Sequence, residues 1–215
     1  MPLVGHGLRP TPLRRRARRP QLKRDPLGGE HLLSILDQID RSLDSRLYYL
    51  ALFSALTIPD IAGALEAPDG QATGERYKVW YEKWIRPRFK EEVQRLLAAR
   101  AISQTPGVEN PLTGDACYRF RCSLLHQGST QHPKSPYSRI IFIEPGATTN
   151  VVHYGVLNGA LCIDVPRFCR EVLAGSRLWL RSVEGTEPYA TNNDRFVRRY
   201  DNGLPPYIVG VPVIG

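Results

Sequence analysis

The stretch HLLSILDQIDRSLDSRLYYLALFSALTIPDIAGALE, residues 31–66, decides the fold class of this chain. Apolar residues recur in it at every third or fourth position: Leu32, Leu36, Ile39, Leu43, Leu47 and Leu50. This spacing predicts helix with one buried face. Ser42 or Asp44 is expected to break the stretch into two helices, and Pro59 is expected to kink it or to start a new turn.

Helix is also predicted on the C-terminal side of this stretch, from about Gly74 to Ile102, with a bend at Pro87. Four aromatic residues lie on one side of it: Tyr77, Trp80, Tyr81 and Trp84. Aromatic side chains can stack on nucleic-acid bases, but this helical spacing favours packing in the core.

A loop over residues 103–114 separates this region from a further helix. Thr113 or Asp115 is suited to cap its N-terminus, because a short polar side chain can accept from the first free backbone N–H groups. Gly128 is suited to end it in the left-handed conformation.

Strands are predicted only in the second half of the chain. Residues 139–143, 150–154 and 160–163 have strand composition, with Asn158-Gly159 as a turn. They predict a β-hairpin or meander at about 139–163. Asp164 and Pro166 then begin a last helix, and residues 204–215 are expected to lie across the surface of the core. The predicted fold class is mainly α, an antiparallel helical bundle with a small antiparallel β insertion, α+β overall.

Composition indicates one soluble domain. The 215 residues are 42% hydrophobic and 23% charged, proportions typical of a globular protein of this length. No apolar run approaches the roughly 20 residues of a membrane span, and no signal-peptide pattern opens the chain. The four cysteines form no C-x-x-C pair, so reduced thiols in a cytoplasmic protein are expected.

The net charge of +8 comes entirely from the N-terminus. Residues 1–24 hold eight basic residues and no acidic one, which leaves 21 basic against 21 acidic residues in the rest. Residues 1–30 are therefore predicted to be a disordered basic tail, with residues 31–215 as the single domain. The composition favours a solvated leader; the alternatives are a transit peptide and an arm that attracts nucleic acid through Arg14, Arg15, Arg16, Arg18 and Arg19.

Residues 121–128, RCSLLHQG, carry the strongest chemical signal. Arg121 can hold a phosphate through two parallel hydrogen bonds, and His126 can transfer a proton near neutral pH. The two are about 140° apart around an ideal helix. The length of Arg121, the helix end at Gly128 or a second subunit can bring them into one site. The helix dipole favours a protonated His126, which suits a general acid.

Other chemistry is open for the same segment. Cys122 and His126 share a helix face, which permits a thiolate–imidazole pair, although core packing is commoner for such a cysteine. A zinc site would use Cys117, Cys122, His126 and His132, but their spacing matches no standard finger. Asp60 and Glu66 are expected, from residue type alone, to orient Arg121 or His126. The remaining interpretation is an Arg–His pair with a purely structural role.

The R-x4-H pattern near the end of a late helix resembles the HEPN superfamily. Residues 118–128 and the closing PPYIVGVP, residues 205–212, are similar to an uncharacterised bacterial HEPN-like family. The resemblance implies a helical domain that dimerises through the motif helix and a metal-independent ribonuclease of toxin or anti-phage defence systems. It places Arg121 and His126 in the catalytic positions. Cys122 stands where Asn is usual, Ser123 is the nearest polar substitute, and Gln127 replaces a small residue.

The predicted function is therefore endoribonuclease activity without metal or cofactor. A symmetric dimer would supply two arginines and two histidines, and cleavage would leave 2′,3′-cyclic phosphate and 5′-hydroxyl ends. RNA, a second copy of the chain and a regulatory or antitoxin protein are the expected partners, with no membrane. The alternative is an inactive HEPN-like scaffold that binds RNA, a nucleotide or a protein.

Overall fold

The opening helical stretch is divided in two, as predicted, in the computed structural model, which describes residues 30–99, 109–146 and 153–215. Helix α1 spans Glu30–Asp44 and α2 spans Tyr48–Leu65. Arg46 turns the chain between them with a φ of 57°. Pro59 is buried inside α2, and the helix continues past it rather than starting a new turn.

The second helical stretch is also two helices. Helix α3 spans Gly74–Trp84 and α4 spans Arg86–Ala98, with Ile85 between them. Pro87 lies in the first turn of α4, where the missing N–H removes no helical hydrogen bond. The predicted bend is therefore a corner between two helices. Residues 100–108, which include the predicted end of this stretch, lie outside the described residues.

The helix that carries the RCSLLHQG segment is α5, Gly114–Gln127. Thr113 caps it, because its side-chain oxygen accepts from the N–H of Ala116 at 3.2 Å. Gly128 ends it with a φ of 63°, in the left-handed region that glycine favours. Both predicted caps are confirmed.

The predicted β insertion is a three-stranded sheet of β1 (Ile140–Ile143), β2 (Gly155–Leu157) and β3 (Ala160–Asp164), with β3 in the centre. Strands β2 and β3 form the predicted antiparallel hairpin through Asn158-Gly159. Strand β1 pairs with β3 in parallel, so the sheet is mixed and is not a meander. The strand predicted at 150–154 is wrong in its described part, because His153 and Tyr154 form a turn.

The last predicted helix is α6, Val165–Val183, with Asp164 as its cap. A further helix that was not predicted, α7 (Glu187–Asn193), follows it. Four two-residue strands end the chain: β4 (Arg199–Tyr200), β5 (Gly203–Leu204), β6 (Ile208–Val209) and β7 (Val213–Ile214). They pair as β4–β7 and β5–β6. Most of residues 204–215 are exposed, as expected of a surface segment.

The helices α2, α3, α5 and α6 pack around one core, into which the aromatic residues of α3 point. Tyr77 and Tyr81 are fully buried, and Trp80 packs edge-on against Trp179 of α6. Gly175 permits a close crossing: a Cβ there would lie 2.3 Å from the carbonyl oxygen of Trp84. The predicted core role of the α3 aromatics is confirmed, as is the mainly α, α+β fold class.

Helix α2 qualifies as a membrane span by length and composition alone, with a mean hydropathy of 1.4 over 18 residues. The expectation that no apolar run approaches such a span was therefore wrong. Half of the window is buried inside the protein, where α2 packs against α1, α3 and α6. The core helix of a soluble protein passes the same test, so one such helix is weak evidence for a membrane.

Candidate functional site

The side chains of Arg121 and His126 meet at the C-terminal end of α5. Arg121 Nη1 lies 3.0 Å from His126 Nε2. The arginine is long enough to cover the angle that separates the two residues around the helix, and a second subunit is not needed for this contact. A guanidinium can only donate, so Nε2 accepts and carries no proton. This contact is at odds with the expectation of a protonated His126, because an imidazolium has no acceptor nitrogen.

Asp60 of α2 holds the other end of the guanidinium. Its Oδ2 lies 2.7 Å from Arg121 Nη2, and 17% of the Asp60 side chain and 19% of the Arg121 side chain are exposed. Sequence placed Asp60 near the site from residue type alone, and the structure brings it there. Glu66, suggested in the same way, is elsewhere: it accepts from Trp179 Nε1 at 3.0 Å.

Burial and charge oppose each other in this ion pair. Burial raises the pKa of Asp60 above its ordinary 3.8, while the charge of Arg121 acts to lower it. Burial acts to lower the pKa of Arg121, but the charge of Asp60 and the neighbouring Cys122 raise it, and the pKa is raised overall. The Arg121 guanidinium therefore stays charged. The Asp60 carboxyl ionises less readily in the folded protein than it does in water.

Cys122 is partly exposed and belongs to the surroundings of Arg121 and Tyr118. Burial, followed by the charge of Cys122 and a hydrogen bond with it, raises the pKa of Tyr118. A hydrogen bond with Cys122 also acts on Arg121. Among the described residues no hydrogen bond joins Cys122 to His126, so the thiolate–imidazole pair gains no support from the hydrogen-bond geometry.

The two other supporting residues lie away from the Arg–His contact. Ser123 is 1% exposed, and its hydroxyl has no hydrogen-bond partner in the described part of the chain. It points into the core, so it does not replace the usual Asn beside Arg121. Gln127 is exposed in the last turn of α5, and no described contact links its side chain to the site.

The zinc interpretation does not fit the positions of its ligands. Cys117 is buried against the Tyr77 hydroxyl at 3.4 Å, and His132 Nδ1 accepts from the N–H of Lys134 at 3.1 Å. Within residues 30–99, 109–146 and 153–215, no group of three His, Cys, Asp or Glu side chains is arranged to hold a metal. The predicted nucleic-acid-binding arginines, Arg14, Arg15, Arg16, Arg18 and Arg19, lie outside the described residues.

A second polar cluster, which the sequence did not predict, is buried between the sheet and α6. Glu171 accepts from the Tyr154 hydroxyl at 2.6 Å, and its other oxygen lies 3.2 Å from His153 Nε2. The backbone N–H of Asp164 donates to His153 Nδ1 at 3.1 Å. Nδ1 therefore accepts, and Nε2 carries the proton that faces Glu171.

One signal for this cluster was present in the sequence. Glu171 falls on the apolar stripe of α6, between Phe168 and Val172. A carboxylate on a buried face needs donors, because an unpaired buried charge costs several kcal/mol. The position predicts a buried partner, although it does not say which of the distant donors supplies it.

Comparisons of the chain with protein-family models, with curated proteins and with solved structures find no match. The resemblance to the HEPN superfamily therefore depends on the residues of the motif segments alone.

Proposed function

We propose that this protein is a metal-independent endoribonuclease of the HEPN type, cytoplasmic and part of a toxin or anti-phage defence module. It acts as a homodimer with a composite site of Arg121 and His126. The observation that carries the proposal is the 3.0 Å contact between the two side chains at an exposed helix end. The ion pair with Asp60 supports it, because it fixes the guanidinium from behind.

In this proposal an RNA phosphate displaces His126 from Arg121. A phosphate oxygen is a charged acceptor and binds a guanidinium more strongly than a neutral imidazole does. His126 Nε2, once released, is an acceptor in reach of a ribose 2′-hydroxyl. It takes that proton as the 2′-oxygen attacks phosphorus, which is the work of a general base.

The leaving 5′-oxygen needs a proton from a second group. His126 of the other protomer supplies it if the two α5 helices face each other across a two-fold axis and this second imidazole, once released from its arginine, has taken up a proton and acts as an imidazolium. The P–O5′ bond then breaks as the P–O2′ bond forms, leaving a 2′,3′-cyclic phosphate and a 5′-hydroxyl. The two guanidiniums stabilise the charge that develops on the phosphorane oxygens.

One observation favours the alternative of a binding scaffold. The charge of Arg121 is already balanced by Asp60, so a phosphate must compete with a carboxylate for the same cation. Cys122 also stands where the family usually has Asn. An inactive HEPN-like module that binds RNA, a nucleotide or a protein partner would keep the Arg121–Asp60 pair as a structural link between α5 and α2.

RNA cleavage in the presence of EDTA tests the proposal. Wild-type protein is expected to cut single-stranded RNA to cyclic-phosphate ends, and His126→Ala is expected to lose about 100-fold or more of the rate, the usual contribution of a general acid or base. His31→Ala is the matched control, because His31 is a partly exposed histidine in α1.

Each outcome is decisive. Loss of cleavage in His126→Ala alone supports the nuclease. Equal cleavage by all three proteins contradicts a role for His126. No cleavage by wild type, in a preparation that binds the same RNA in an electrophoretic shift, supports the scaffold.

A further inference from the structure

A cleft of about 460 Å³ lies between α4 and α6, away from Arg121 and His126. Its walls are two matching helical stripes. Helix α4 contributes Arg88, Glu91, Glu92 and Arg95, and α6 contributes Arg167, Arg170, Glu171 and Ala174. Both stripes follow the i, i+3, i+4, i+7 spacing of one helix face.

The composition of these stripes is unusual for two neighbouring helices. Faces that pack on each other are ordinarily apolar, yet seven of the eight residues here are charged. Ala174 is small, so it leaves room between the walls. Four guanidiniums and three carboxylates line this space, so its formal net charge is +1 and the positive charge that remains uncompensated favours an anion.

Two of the four arginines are already paired. Arg167 Nη2 lies 2.8 Å from Glu92 Oε1, a link that crosses the cleft from α6 to α4. Arg88 Nη1 pairs with Glu91 at 2.5 Å, and Arg88 Nε is buried with no acceptor among the described residues. The Nε–H of Arg88 is therefore a donor without an acceptor, although the same guanidinium pairs with Glu91 through Nη1.

The other two arginines are available to a ligand. Arg95 and Arg170 are exposed, and within the described part of the chain neither forms an ion pair. Arg95 lies on the α4 wall and Arg170 on the α6 wall, so an anion in the cleft has an unpaired guanidinium on each side. Guanidiniums stay charged at any physiological pH and match the oxygens of a phosphate in pairs.

Glu171 forms the floor of the cleft, and hydrogen bonds on the core side hold it in place. Glu171 is 4% exposed and is held by His153 and the Tyr154 hydroxyl. Tyr154 has a φ of 61°, a conformation that bulky residues rarely adopt. Surrounding contacts must hold it there, and such local strain is commonest at binding sites. Each oxygen of Glu171 keeps a lone pair with which to accept from a ligand hydroxyl.

We propose that the α4–α6 cleft binds a small phosphorylated metabolite that also carries hydroxyl groups. Arg95 and Arg170 bind the phosphate and Glu171 accepts from a hydroxyl. The volume is within the range of small-molecule sites, about 300–1,000 Å³. This inference goes beyond the proposed nuclease, because no residue of the cleft belongs to the Arg121–His126 site.

Isothermal titration calorimetry with inorganic pyrophosphate and with AMP tests the site. Both are expected to bind full-length wild-type protein at low salt, and adenosine, which lacks the phosphate, is expected to bind at least tenfold more weakly than AMP. The double variant Arg95→Ala/Arg170→Ala is expected to lose at least tenfold in affinity for both anions. Arg181→Ala is the matched control, because Arg181 is an exposed residue of α6 outside the cleft.

The design separates a lost site from a lost fold. The exchanged arginines are exposed, and circular dichroism with a urea titration checks that the double variant remains folded. No binding of either anion to wild type overturns the proposal, and so does equal binding to wild type and double variant. The readout is ligand binding, so its failure is distinct from a failure of RNA cleavage.

Discussion

His126 and His153 show how differently one residue type is used in two parts of the same domain. His126 is exposed at the end of α5, and its one described side-chain contact is with Arg121. His153 has a fully buried side chain, and both of its ring nitrogens have partners, Glu171 and the N–H of Asp164. A substrate can compete for the first imidazole without opening the core. The second can change partners only if the protein opens locally.

The comparison teaches that spare hydrogen-bonding capacity separates a reactive group from a structural one. Each histidine has a carboxylate in its surroundings: Asp60 pairs with Arg121, the partner of His126, and Glu171 contacts His153 directly. In the buried cluster, His153, Tyr154 and Glu171 form their hydrogen bonds with partners inside the protein, and of these three residues Glu171 alone lines the α4–α6 cleft. At the exposed site, the hydrogen-bonding groups of Arg121 and His126 can be taken up by a ligand. Four substitution or labelling experiments sharpen this contrast.

The largest effect is expected at the exposed site. Arg121→Lys should lower RNA cleavage by about 100- to 1,000-fold, because an ammonium cannot donate in parallel to a phosphate and to Asp60. The rate of cleavage of a fluorescent RNA in EDTA measures this. Arg119→Lys is the control on the same helix, since Arg119 pairs only with Asp115 in the described structure. Equal rates for the two variants would contradict a special role for Arg121.

Thiol labelling compares the same two regions in the same protein. Burial raises the pKa of Cys117 and that of Cys169 to about 12, so at pH 8 only about one part in 10,000 of each is thiolate. Both should alkylate about 1,000-fold more slowly than an ordinary accessible thiol, and partly exposed Cys122 should be modified first. Peptide mass spectrometry after iodoacetamide gives the order.

The pH dependence and a denaturant control complete the labelling test. Rates at Cys117 and Cys169 should rise about tenfold per pH unit up to their pKa, because the thiolate is the reacting form. All cysteines should react in urea. Early modification of Cys169 in the folded protein would show that the buried cluster beside α6 opens readily.

A smaller effect is expected from removing the carboxylate of the buried cluster. Glu171→Ala leaves His153 Nε2 and the Tyr154 hydroxyl as buried donors without an acceptor, at about 1–3 kcal/mol each. The free energy of unfolding in urea should fall by about 3 kcal/mol. Exposed Glu184→Ala should change it by no more than about 0.5 kcal/mol. A Glu171→Ala protein as stable as wild type would mean that the cluster is hydrated rather than closed.

The smallest expected effect is a change in the free energy of unfolding with pH. Burial raises the pKa of Asp60 above 3.8, so its neutral form is favoured in the folded state. This raised pKa stabilises the folded state below pH 3.8, and the stabilisation is lost as pH rises through the raised pKa. Hydrogen bonds from Arg119 and Lys78 lower the pKa of Asp115. This lowered pKa stabilises the folded state above pH 3.8, and the stabilisation is lost as pH falls through the lowered pKa of Asp115.

Paired variants make this difference measurable. The stability of wild type relative to Asp60→Asn should decrease as pH rises above 3.8 and through the raised pKa of Asp60. The stability relative to Asp115→Asn should decrease as pH falls through the same ordinary value. Urea titrations at several pH values give both slopes, and slopes of the same sign would contradict the assigned shifts.

Local chemistry made much of this fold predictable from sequence. The Thr113 and Gly128 caps and the Pro87 corner each depend on a few neighbouring residues, and each was predicted correctly. Helix α7 has only seven residues, too few to show a helical period. The parallel pairing of β1 with β3 brings together residues that are distant in sequence, such as Ile140 and Leu161, which no local pattern encodes.

The candidate site likewise has a part that the sequence could predict and a part that depends on the packing of distant elements. Arg121 and His126 lie five positions apart on one helix, so their meeting required only a long side chain. Asp60 was suggested by residue type, and its contact with Arg121 depends on the packing of α2 against α5. The His153–Glu171 pair and the α4–α6 cleft come from elements far apart in sequence. The Tyr154 turn and α6 must be placed before the pair can be recognised, and α4 and α6 must be placed before the cleft can.

The close crossing at Gly175 has a mechanical consequence for the cleft. The carbonyl of Trp84 lies against Gly175, at the corner from which α4 departs. The Arg167–Glu92 ion pair joins α4 and α6 a second time, farther along both helices. Because the two helices are linked at two separate points, the walls of the cleft are held in place before a ligand enters, and a ligand need not order them.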